Sequence, residues 1–185
     1  MTGGLGLSAL EPLVDAYGAS DCEAIGSGWL AQPVNAVSSL AFVPAGGWVA
    51  ARARGASGWR RWELAAVGAA LAANGLGSFA YHGPQPDWAG IAHDAPIVAV
   101  VALLAANEAG RRADRVTVSG SEERARRSGK AAAVAGLAAL GAYALGRTGS
   151  PACRPDSLFQ WHAVWHVLGA VALVAAVEAR VERTA

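Results

Sequence analysis

The stretch Trp161-His162-Ala163-Val164-Trp165-His166 opens an apolar run that continues through Leu168, Val171, Leu173 and Val174 to Val177. Imidazole is costly inside a bilayer, and as the neutral base it is a good metal ligand. Residues at i and i+4 share a helix face, so His162 and His166 can reach one ion. Histidine is scarce here, with four in 185 residues. A third, His82, ends another apolar run at Ser78-Phe79-Ala80-Tyr81-His82. Three histidines converging at one membrane depth would make a three-ligand zinc site with an open fourth position, the catalytic pattern rather than the structural one.

Composition fixes the class. Hydrophobic residues make up 54% of the chain and charged residues 16%. Mean hydropathy is only +0.30 because much of the apolar content is Ala and Gly, small residues that let transmembrane helices approach closely. Five segments approach the length of a bilayer span: roughly Trp29 to Ala51, Glu63 to His82, Ile91 to Ala109, Ala131 to Leu145 and Leu158 to Val177. The fourth is short and rich in Ala and Gly. A soluble helical bundle is the competing reading, but its helices would alternate polar and apolar faces, and these barely do. The expectation is an all-α membrane protein of about five spans in a single domain. Residues 1–28 form an outer tail, 29–177 a helical bundle and 178–185 an inner tail.

Basic residues orient the chain. Arg52, Arg54, Arg60 and Arg61 follow the first segment. Arg111, Arg112, Arg115, Arg124, Arg126, Arg127 and Lys130 follow the third, and Arg180 and Arg183 follow the fifth. Residues 1–28 and Gly83 to Gly90 contain none, and Arg147 and Arg154 alone fall on the other side. By the positive-inside rule the N-terminus is outside and the C-terminus cytoplasmic. Trp29, Trp59, Trp62, Trp88, Trp161 and Trp165 lie near segment ends, as an interfacial belt requires. The start of the chain lacks a basic n-region and a long apolar h-region, so no cleavable signal peptide is expected. Asp114 to Ser128 reads as a cytoplasmic loop, in part helical. A net charge of +1 implies no field for nucleic acid, and no obligate protein partner is evident.

Counting charges places Ser78, His82, Asp94, His162 and His166 at one depth on the outer side. Each histidine alone reads equally as an interfacial aromatic or a helix-packing hydrogen bond. Three at one level with a carboxylate beside them read as a metal site. His93 precedes Asp94 and so points about 100° away around the helix, an interfacial or supporting position. The soluble zinc-protease helix needs Glu directly after its first His, and Ala163 stands there.

Ser-x-x-x-His at one span end, Asp at the next start and His-x-x-x-His in the last span resemble the alkaline ceramidases. These belong to a wider membrane superfamily with the adiponectin and progestin receptors. Asp21-Cys22-Glu23 ahead of Leu30-Ala31-Gln32-Pro33-Val34-Asn35-Ala36-Val37-Ser38 is similar to the family's Asp-Trp-Cys-Glu run and Ala-Glu-x-x-Asn segment. Trp161 to His166 is similar to its His-x-x-Trp-His run. The family has seven spans, and losing two between Asp94 and His162 preserves the sidedness of the site. Of its calcium-binding acidic cluster only Glu23 clearly matches. Gln32 replaces an acid, and Ala24 and Ile25 replace polar ligands, so a strong calcium site is not expected.

The resemblance implies zinc on His82, His162 and His166, lowering the pKa of a bound water towards about 7. Asp94 would take its proton and deliver it to a leaving amine, and Ser78 would position or stabilise the carbonyl oxygen. Asp94 also reads as a dipole-favoured carboxylate at a helix start, and Ser78 as a packing residue. The substrate implied is a membrane lipid amide entering laterally from the outer leaflet, a ceramide-like N-acyl sphingoid base. A lipid-sensing receptor with the same zinc, or a hydrolase of another lipid, stays open; the Ala/Gly/Arg-rich composition resembles a high-GC bacterial proteome. Cys22 and Cys153 both fall on the outer side, where an oxidising compartment permits a disulfide. The ceramidases look similar in having a cysteine in each region. The bridge is expected, with two free thiols as the alternative.

Overall fold

The structure, a computed structural model, describes residues 20–111 and 122–182. Residues 1–19 of the expected outer tail, 114–121 of the expected loop and 183–185 lie outside the described residues, as do Arg112, Arg115 and Arg183. The described residues are helical, with no strand beyond one isolated bridge between Asp21 and Arg147.

Pro33 has the fixed φ that suits a first helical turn, and helix α1 (Pro33–Ser39) starts there. The chain then breaks at Leu40 and Ala41 before α2 (Phe42–Arg52). Pro44 accounts for the break, since it has no N–H for the Leu40 carbonyl and its ring would clash with it. The Val43 N–H takes that carbonyl instead, at 3.0 Å. The first expected span is therefore a broken helix that starts later than Trp29, finished by a 3-10 turn at Ala53–Gly55. Helices α3 (Gly58–His82), α4 (Ala89–Arg111), α5 (Glu122–Leu145) and α6 (Trp161–Glu182) follow.

Four of these units are long and apolar enough to cross a membrane: Pro33–Gly55, Gly58–His82, Glu122–Leu145 and Trp161–Glu182. Ala89–Ala105 of α4 is a shorter apolar stretch. Four to five such helices are compatible with an integral membrane protein. The sequence reading ends the charged loop at Ser128, whereas α5 already begins at Glu122. Acidic residues suit a first helical turn, and Glu123 pairs with Arg126 and Arg127 at i+3 and i+4.

Helix α3 is central and packs against α1, α2 and α4, while α5 packs on α6 and α6 reaches α1 and α2. Phe42, Val49, Leu64, Val67, Leu71, Val100, Ala170 and Val177 form the apolar core between them. Helices α3 and α4 meet at Gly77, where a Cβ would run into the Ala92 carbonyl. That close approach fixes the register of the first turns of α4.

The two ends of the bundle differ. At one, the Arg52 guanidinium donates twice to Glu178, at 2.7 and 2.6 Å, Arg60 donates to the Val181 carbonyl, and Ser128 donates to Glu182. At the other, the segment from Asp21 to Gln32 lies over the end of α3, where the Gln32 N–H donates to the His82 carbonyl at 2.8 Å. Trp29 and Trp88 are exposed near this second end, and Trp59 and Trp62 near the first.

Candidate metal centre

His82 is the last residue of α3, and His162 and His166 occupy the first turns of α6. Two local devices deliver them. The loop before α6 is pinned by Gln160, whose side-chain amide donates to the Arg154, Pro155 and Ser157 carbonyls. Gly146 lies so close to the His162 backbone that no side chain fits there. The outcome is three buried imidazoles that each offer one ring nitrogen, the three nitrogens within 4.8 Å of one another, a group that could hold a metal ion. The sequence expectation that His82, His162 and His166 converge is met.

Two of the three rings have their Nδ1 hydrogen-bonded. His82 Nδ1 lies 2.8 Å from Gln32 Oε1, an oxygen that only accepts, so Nδ1 carries the proton. His166 Nδ1 lies 2.9 Å from Ser38 Oγ. The Ser38 hydroxyl already donates to the Asn35 carbonyl at 3.0 Å, and having one proton it accepts from His166. His162 Nδ1 lies 3.1 Å from Asp21 Oδ1, an approach out of hydrogen-bond alignment. These contacts leave Nε2 of His82 and of His166 with a lone pair. Nε2 of His82 and of His162 are buried without a hydrogen-bond partner. Buried polar atoms are rarely left so, and a shared cation satisfies them together. The donor set therefore fits a metal that accepts imidazole.

The residues that orient the rings belong to the N-terminal segment and α1. Gln32 is anchored by its Nε2, which donates to the Glu23 carbonyl at 2.7 Å. Glu23 in turn accepts the Val34 and Asn35 N–H groups on its two carboxylate oxygens, each at 2.7 Å. It thus serves as a cap for α1 from outside the helix. Burial pushes the Glu23 carboxyl up from its usual range, and the two N–H bonds work against that. A disulfide joins Cys22 to Cys153, and the Cys22 N–H donates to the Gly146 carbonyl at 2.8 Å. Asp21 is thereby held against His162.

Ser78 is buried, with Oγ 3.5 Å from His166 Nε2. Asp94 is not brought into the group. Its side chain is 69% exposed, and Oδ1 accepts from His93 Nδ1 at 2.7 Å. His93 instead turns inward, its ring centroid 5.8 Å from that of His82. The expected facing of this pair is reversed, because the Gly77–Ala92 contact sets α4 with His93, not Asp94, towards α3. A cavity of about 290 Å³ begins at Ser78, His93 and His166 and extends between α3, α4, α5 and α6. Its remaining wall is nearly all apolar, with Leu71, Ile97, Val101, Leu140 and Leu173.

Sequence reasoning missed Asp21, Gln32 and Ser38 as partners of the rings. The signal available was their polarity in a segment about to enter an apolar helix. Fold and site together define an all-helical chain with membrane-length helices and a buried three-histidine group at one end. Compared with protein-family models, curated proteins and solved structures, the chain matches none.

Proposed function

We propose that the chain is an integral membrane zinc hydrolase of a lipid amide, ceramidase-like, releasing a fatty acid and an amine. The carrying observation is the apolar cavity that ends at His166, beside the unpartnered Nε2 atoms of His82 and His162. Imidazole donors favour zinc over hard cations. When bound, zinc supplies a Lewis acid for a carbonyl and an acidified water with a pKa near about 7.

The chain's own residues supply the rest. Gln32 and Ser38 hold His82 and His166 with the proton on Nδ1, and Asp21 stands against His162. The cavity takes one hydrocarbon chain, entering sideways between α4 and α5, and keeps water from it. Ser78 donates to the carbonyl oxygen, a role worth about 3 kcal/mol. Asp94 carries the proton through His93, which lines the cavity and donates to it. By the positive-inside rule the end with Arg52, Arg60 and Arg180 is cytoplasmic, and the histidines face the outer leaflet.

Purified zinc-loaded protein should release fatty acid from an N-acyl sphingoid base or a related N-acyl lipid, and His166→Ala should abolish this. Absence of turnover across a panel of lipid amides and esters, with zinc bound, would leave a lipid-sensing protein instead.

A further inference from the structure

The cavity below the histidines has a definite depth. On α3 its wall runs from Ser78 to Leu71, and on α6 from His166 to Leu173, in each case about 10.5 Å along the helix axis. On α4 it runs from His93 to Val101, about 12 Å. Below that level the apolar core continues through Val67 and Val177. The volume, about 290 Å³, is at the small end for a ligand pocket. An extended chain advances about 1.2 Å per bond, so this depth holds about eight to ten carbons. A hexadecanoyl chain runs about 18 Å at the same rise. Its last carbons would have to turn out between α4 and α5, past Val101 and Leu140, which are exposed there.

One position at the inner end lacks a side chain that it could carry. Gly136 of α5 lines the cavity, and a Cβ there would meet nothing nearer than Ala172 Cβ, at 4.0 Å. Ala172 stands about 9 Å below His166 along α6, so Gly136 lies close to the floor. Gly77 and Gly146 are pressed against backbone, but packing does not require a glycine at 136. Its φ is not positive either. Glycine destabilises a helix interior relative to alanine. What its absent side chain leaves behind is room at the inner end of the cavity.

We propose that the site selects lipid amides with a medium-length acyl chain, about eight to ten carbons, and that Gly136 sets that length. This rests on the reading of the site as a lipid hydrolase and names its substrate class. With the carbonyl held beside His166 and Ser78, the far end of such a chain reaches the level of Gly136 and Leu173.

The test uses the zinc-loaded full chain in lipid nanodiscs. Amides of one amine with saturated acyl chains from butanoyl to octadecanoyl are offered at equal membrane mole fraction, and kcat/KM is read for each. The wild type should peak at octanoyl to decanoyl. Overfilling a packed interior opposes binding by roughly 5- to 150-fold, and hexadecanoyl should fall below the peak by a factor in that range. Gly136→Leu fills the inner end and should move the peak to chains about three carbons shorter. Gly136→Ala, which meets only Ala172 at ordinary contact distance, should move it by about one. Zinc content at the wild-type level shows that each variant is folded. A flat wild-type profile, a peak at hexadecanoyl or longer, or a peak that stays in place in both variants overturns the proposal. So does a peak that follows the amine's chain when that is varied instead. Free fatty acids of the same lengths, displacing a bound fluorescent fatty acid, separate the two readings. The same length ranking in displacement with no amide turned over keeps the role of Gly136 and overturns the hydrolase. Turnover without a length ranking leaves the hydrolase and overturns the role of Gly136.

Discussion

Gln32 and His82 meet side chain to side chain, Oε1 to Nδ1 at 2.8 Å, across 50 positions of sequence. The contact fixes which nitrogen of His82 carries the proton and turns Nε2 towards the other two rings. Partners of this kind are worth roughly 10- to 100-fold in metal affinity. Gln32→Ala should therefore weaken zinc by that factor, while Gln32→Glu, which still accepts from Nδ1, should keep most of it. Competition against a chelator at fixed pH reads both. An alanine variant that holds zinc as tightly as the wild type would refute the orienting role.

The histidines themselves give a sharper contrast. With three imidazoles converging within 4.8 Å, purified protein should carry about one zinc per chain. His162→Ala together with His166→Ala should leave none, by elemental analysis after desalting. Full retention in the double variant would move the metal elsewhere or remove it from the account.

The helical architecture was readable because apolar runs and charge clusters are local properties. His82, His162 and His166 were readable because imidazole has little reason to sit in such runs. The break at Leu40 and Ala41 was legible too, in Pro44, but a hydropathy window averages over it. Asp94 and His93 were misjudged for a different reason. Adjacent residues at a helix start differ in facing by about 100°, and what selects between them is a contact with another helix, Gly77 against Ala92. Gln32, Ser38 and Asp21 reach their rings only through the packing of α1 and the Cys22–Cys153 bond, which no spacing encodes.

The disulfide closes a separation of 131 residues, and disulfides typically contribute about 2–4 kcal/mol. It also ties Asp21 to the turn that precedes α6. Mass spectrometry of non-reduced protein should show a Cys22–Cys153 cross-linked peptide. Cys22→Ser should lower the thermal midpoint and also loosen zinc, through His162. Two freely alkylated thiols in protein from an oxidising compartment would contradict the bond.

The positive-inside rule predicts the sidedness. Cysteines introduced into 1–28, in a background lacking the native pair, should react with an impermeant reagent added outside. Those placed in 114–128 should react only after permeabilisation. Arg52, Arg60 and Arg180 lie at the end of the bundle away from the histidines, so labelling with the opposite pattern would invert the protein and put the site in the inner leaflet.

The His93–Asp94 pair tests how the proton moves. His93 lines the cavity, and Asp94, behind it, is 69% exposed at the side chain. If Asp94 worked directly on the substrate, His93→Phe would leave turnover nearly intact. If the proton passes through the ring, His93→Phe and Asp94→Ala should each lower kcat by the roughly 10²- to 10⁴-fold of a lost acid–base group. The double variant should then be no worse than either single one, because both break the same path. Zinc content should stay at the wild-type level in all three, since neither side chain belongs to the three-histidine group. A drop confined to Asp94→Ala would mean that the carboxylate turns into the cavity when substrate is bound.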